Sequence, residues 1–123
     1  MKPEDLELKD GYACFRPVGE TTPLGFLALL EGAMNACRAL GATRFLADLR
    51  GLSHPPLTTI DRFEINERMS RFWDRGIRVS ALVRPDQGDA TRFGLEVARN
   101  RGLVYHVSTD EAQAVASLFA EGP

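Results

Sequence analysis

"RFLADLRGLSHPPLTTIDRF", residues 44–63, decides the architecture. Phe45, Leu46, Ala47 and Leu49 make a nearly unbroken apolar run, the composition of a strand covered on both faces. Gly51, Ser53 and Pro55-Pro56 interrupt it, and Thr58 opens a stretch of helical spacing that extends to about Arg75 before Gly76. Within that stretch Ile60, Phe63, Met69, Phe72 and Trp73 fall mostly on one side. An apolar strand, a polar loop and a helix form one βα unit, whose next strand must return parallel to the first.

The same unit recurs on either side. "GYACFRPVG" (11–19) reads as a strand ended by Pro17 and Gly19. Leu6 and Leu8 alternate with charged residues in "DLELKD" (5–10), the pattern of an edge strand. Thr22-Pro23 then opens a helix, with the threonine as N-cap and proline in the first turn. Leu27, Leu30, Met34 and Cys37 recur at helical spacing, and Gly41 closes the segment. Gly25 and Gly32 weaken that helix by roughly 1 kcal/mol each relative to alanine.

Downstream, "IRVSALV" (77–83) is a third strong strand, and a helix with Phe93, Val97 and Ala98 runs from Asp89 or Thr91 to Gly102. "LVYHV" (103–107) follows as a strand. "STDEAQAVASLFA" (108–120) reads as a helix with Ala112, Val115, Ala116 and Phe119 inward, and Ser108 with Glu111 has capping-box spacing. The expected fold is therefore α/β: one domain over residues 1–123, with its core at about 12–119. A mainly parallel sheet of four to five strands alternates with helices.

Bulk properties narrow the function. The chain has 123 residues, 44% hydrophobic and 26% charged, and a net charge of −2. That charge gives no basic field for nucleic acid. Thirteen arginines stand against only Lys2 and Lys9, a bias that base composition of the genome explains as readily as function. Arg mixes with Phe72 and Trp73 in "ERMSRFWDRGIR" (67–78), but Glu67 and Asp74 interleave, as in an amphipathic helix. Cys14 and Cys37 have neither metal-ligand nor redox-pair spacing and read as buried thiols of a reducing compartment. The N-terminus is too acidic for a secretory signal. The most apolar segment, residues 23–40, carries Glu31 and Arg38 and is too short to span a bilayer. A cytoplasmic protein is expected.

In parallel sheets functional groups gather beyond the carboxyl ends of the strands. That edge should collect Asp48, Arg50, Ser53 and His54, then Arg84 and Asp86, then Ser108 and Thr109. Asp48 and Arg50 point to the same side of a strand, as an ion pair, as a pair that orients the loop, or with Arg50 turned to an anion. Thr58 and Asp61 fit a capping box; alternatively Thr58 or Thr59 is a phosphorylation switch, its phosphate facing helix-end N–H groups and Arg62. His54 and His106, the only histidines, lie on different connections and form no metal pattern. The sequence contains no GxSxG elbow, phosphate-binding loop or dinucleotide fingerprint. No catalytic residue, cofactor or metal is assigned, and binding is the expected mode of action.

Several strings resemble a known family. "FLADLRG" (45–51), "GIRVSALV" (76–83), "RFGLEVARNRGLVYHV" (92–107) and "STDEAQAVASLF" (108–119) are similar to segments of the STAS superfamily. The resemblance is to its small bacterial SpoIIAA-like proteins, which have kinship to the CRAL-TRIO lipid-binding fold. It implies a first strand or hairpin not parallel to the rest. It also implies a regulatory, protein-interaction role, with a phosphorylatable hydroxyl at the helix start that falls on or beside Thr58. "PPLTT" (55–59) stands here where that family commonly carries Asp-Ser-Ser-Gly. The CRAL-TRIO kinship implies an alternative, a carrier of a small apolar ligand or lipid. A homodimer through Phe26 or Trp73 is a further expectation.

Overall fold

A computed structural model of the chain describes residues 6–53, 58–74, 76–87 and 106–120. Its main sheet has five strands: β1 (Leu6–Lys9), β2 (Tyr12–Phe15), β4 (Arg44–Asp48), β6 (Arg78–Leu82) and β7 (His106–Ser108), in the order β1-β2-β4-β6-β7. β1 runs antiparallel to β2, and every other pairing is parallel. The weak alternation of Leu6 and Leu8 is thus an edge strand, folded back on β2 through Asp10-Gly11. Gly11 takes φ 83° there, and a Cβ on it would also stand 3.3 Å from the Phe119 ring. A second, two-stranded element pairs β3 (Gly19–Glu20) with β5 (Leu52–Ser53) in parallel.

Alternation along the strands divides the core into two layers. Ala13, Phe15, Phe45, Ala47 and Val79 face one side, where they meet Leu27, Leu30, Ala33, Met34 and Cys37 of α1 (Pro23–Leu40). Ile65 and Met69 of α2 (Thr59–Phe72) close the same layer. Cys14, Leu46 and Leu82 face the other side, against Ala114 and Leu118 of α3 (Glu111–Phe119). Both cysteines are buried and free, one in each layer. No helix among the described residues is long and apolar enough to cross a membrane.

α1 follows its sequence closely. The Thr22 side chain accepts a hydrogen bond from Gly25 N, Pro23 opens the first turn, and Gly41 leaves the helix at φ 72°. α2 departs at both ends of its apolar stripe. It stops at Phe72 rather than about Arg75, because Arg38 of α1 takes the Phe72 carbonyl at 2.8 Å and the Asp74 carboxylate at 2.7 Å. Asp74 in turn accepts from Gly76 N. Ile65, Met69, Phe72 and Trp73 form the inward stripe, while Ile60 and Phe63 stand 76% and 47% exposed. Phe26 and Trp73, proposed for a dimer contact, are instead partly buried against the core.

α3 also corrects the sequence. Its inward residues are Ala114 and Leu118, with Val115 partly buried; Ala112, Ala116 and Phe119 are exposed. Phe119 packs edge-on against Tyr12 and lies under the Arg44 guanidinium, 4.7 Å from ring centroid to carbon. The helix cap is Asp110, which accepts from Gln113 N, whereas Ser108 accepts from Asp110 N. The Ser108–Glu111 box does not form, because Glu111 turns to two arginines. The expected helix from Asp89 or Thr91 to Gly102, and most of "LVYHV", lie outside the described residues.

Candidate functional site

All the parallel strands end at one edge, and the structure brings Asp48, Arg50, Arg84 and Ser108 of the sequence-nominated groups to it. Backbone bonds weld the strand ends: Leu49 N donates to Leu82 O at 2.8 Å, and Val83 N to Ser108 O at 3.0 Å. Arg84 leaves β6 and donates to the carbonyls of Arg50 and Leu52, which fixes the loop that follows β4. Its remaining donors reach Asp86 at 3.0 Å. Arg84 is therefore an internally paired clamp at this edge.

Asp48 is the centre of the charged part. It is 5% exposed at the last position of β4. Its Oδ1 accepts from Arg50 N at 3.2 Å and Arg50 Nε at 3.0 Å; its Oδ2 accepts from Arg50 Nη2 at 2.9 Å and Arg16 Nη1 at 3.0 Å. Glu111, at the start of α3, receives Arg16 Nη2 at 3.2 Å and Arg50 Nη2 at 3.0 Å. Arg16 Nε points at Cys14 Sγ, 3.3 Å away. Two guanidiniums and two carboxylates thus close a neutral cluster that ties β2, β4 and α3 together.

Electrostatics follow from this geometry. Burial pushes the Asp48 carboxyl up, but hydrogen bonds from Arg50 and the charges of Arg50 and Arg16 outweigh it and hold the group below the usual carboxylate range. The Arg16 hydrogen bond lowers Glu111 similarly. Both carboxyls remain ionised at neutral pH, and both arginines are held charged by them. Burial raises the Cys14 thiol, with Arg16 opposing, and pushes Cys37 up to about 11. Of the three roles open to Asp48 and Arg50, the structure shows the ion pair.

The second part of the edge lies at the start of α2. Thr58 Oγ1 accepts from Asp61 N at 3.0 Å, and Asp61 Oδ2 accepts from Thr58 N at 3.0 Å, so the capping box forms in full. Thr58 and Thr59 are both exposed, as is Ser53 in β5. Four large apolar side chains are exposed around this edge: Val18 before β3, Leu24 in the first turn of α1, and Ile60 and Phe63 in α2. Ser108 serves the turn into α3, and Thr109 is exposed beside it. His54 lies outside the described residues, and His106 is exposed in β7. Among the described residues no three His, Cys, Asp or Glu side chains gather as a metal site.

Sequence reasoning missed Arg16 and Glu111. Arg16 stands one residue beyond β2, so the rule that nominated Asp48 from β4 reaches it when applied to the first strand of the parallel set. Glu111 carried no such signal, since its spacing from Ser108 suggested a cap.

No protein-family profile and no curated protein matches this chain. Among solved structures, it is similar to an uncharacterized protein of the DUF3478 family with a SpoIIAA-like fold from Shewanella loihica PV-4. The two share 19% identity over 92% of this chain and 89% of the other, with a TM-score of 0.52. The chain has a SpoIIAA-like fold.

Proposed function

On this SpoIIAA-like fold, we propose a protein-interaction module of regulatory type that works by binding rather than by catalysis, in the cytoplasm. Its partner docks at the carboxyl edge over the start of α2. The observation that carries this reading is an exposed helix-capping hydroxyl, Thr58, with Ile60 and Phe63 exposed within the next turn and a half. Apolar side chains that a helix turns away from its own core supply contact area for a partner. Val18 and Leu24 extend that area at the same edge. Arg84 and the Asp48 cluster brace residues 50–52 at the same edge.

A phosphate on Thr58 would stand at a helix N-terminus, where N–H groups and the helix dipole favour an anion. It would also displace the Thr58 Oγ1 contact with Asp61 N and face the Asp61 carboxylate, remodelling the first turn. Phosphorylation is thereby coupled to the shape of the docking edge.

The test compares partners captured from the source cell by wild type, Thr58→Asn, Thr58→Glu and Ile60→Asp. Asparagine keeps the cap without a phosphorylatable hydroxyl, which separates switching from helix stability. A partner held by wild type and Thr58→Asn, but lost from Ile60→Asp and altered in Thr58→Glu, supports the reading. Identical partners for all four proteins would overturn it. Native mass spectrometry of the same preparations tests the carrier reading: an apolar ligand that co-purifies with wild type would replace the interaction module with a carrier.

A further inference from the structure

We propose that the chain forms a two-fold homodimer by antiparallel pairing of β1 with β1 of a second copy, joining the two five-stranded sheets into one. β1 is one of the two terminal strands of the sheet, and among the described residues no strand pairs with its outer side. An unpaired edge is a template for another strand unless something blunts it. Charged residues usually do that, and β1 carries Glu7 and Lys9, both on the α3 side of the sheet and 3.7 Å apart.

Here the charges have an order that a second copy complements. A two-residue hairpin makes its flanking pair, Lys9 with Tyr12, a hydrogen-bonded one, and hydrogen-bonded and open pairs then alternate. Glu7 and Lys9 therefore bond to β2, while Leu6 and Leu8 turn their N–H and C=O groups outward. A symmetric antiparallel pairing centred on Leu8 joins the outward N–H and C=O of Leu8 to those of Leu8 in the second copy, and sets Leu6 opposite Asp10 of the turn. It also sets Glu7 opposite Lys9 of the second copy, twice by symmetry.

The neighbouring registers lack this match. Centring on Glu7 opposes Glu7 to itself, centring on Lys9 opposes Lys9 to itself, and centring on Leu6 opposes Glu7 to Asp5. The apolar face agrees with the same choice. Leu8 is 60% exposed on the α1 side of the sheet, and the Leu8-centred register buries it against its own copy. Leu40, exposed at the C-terminal end of α1 on the same side and at the same end of the sheet, adds apolar surface beside it.

Charge exchange between two variants tests the pairing. In Glu7→Lys every cross-strand pair becomes basic against basic; in Lys9→Glu every pair becomes acidic against acidic. Both positions are exposed, so each variant retains its fold, which circular dichroism checks. Sedimentation velocity from about 1 μM to about 1 mM should show a reversible, salt-sensitive dimer for wild type, at least tenfold weaker association for each variant alone, and recovery in their equimolar mixture. In the mixture, basic strands face acidic ones. A wild type that stays monomeric to about 1 mM overturns the proposal. So does a single variant that associates as well as wild type, or a mixture no tighter than its components.

Discussion

Asp48 keeps its charge against the cost of burial, because four N–H donors from Arg50 and Arg16 converge on its two oxygens. Its folded-state pKa lies below the ordinary 3.8, and that of Glu111 below the ordinary 4.5. A lowered carboxyl stabilises the fold fully above its unfolded-state value, and the contribution disappears as pH falls through the folded-state value. Wild-type stability should thus hold from neutrality to about pH 5 and fall below that. Asp48→Asn should cost about 1–3 kcal/mol at pH 7, with the two proteins converging in acid. Urea unfolding at several pH values measures both curves, and parallel curves would show that the cluster contributes no such linkage. That Asp48 and Arg50 pair was legible two residues apart in the sequence. That Arg16 and Glu111 complete the cluster was not, since their separation of 95 residues along the chain is closed only by folding.

Three helix ends were readable because their signals are local. Thr22-Pro23, Gly41 and the Thr58–Asp61 box all act within one turn of where they stand. Thr58→Ala should remove one cap bond and cost about 1 kcal/mol, a drop in Tm of about 4 °C. Thr58→Asn should stay close to wild type in a thermal melt, and equal losses for the two would show that the box does not stabilise α2. The helix faces were less readable. Counting Ile60 and Phe63 with Met69 as one stripe mixed two sides of α2, since Ile65 and Met69 face the sheet and the other two stand opposite. The end of α2 was misplaced for a different reason. Arg38, on another helix, takes the Phe72 carbonyl and the Asp74 side chain, and no signal near Gly76 records that.

Over the whole molecule, the sheet separates Cys14 from Cys37 into opposite layers. Both thiols are buried and shifted upward, so in native protein at pH 8 a thiol reagent should label them only through opening of the fold. Oxidation should yield no bridge within one chain. Stoichiometric labelling in guanidinium, set against slow labelling in buffer, checks this; fast native labelling of Cys14 would mean that the α3 layer opens readily. The alternation of apolar strands with helices, the mainly parallel sheet and the common edge at which its parallel strands end were legible in the sequence itself, because periodicity is a property of consecutive residues. Tertiary structure alone decided which distant charges meet and which helix face turns outward. Those outcomes depend on through-space distances between segments far apart in the chain, and local composition does not encode them.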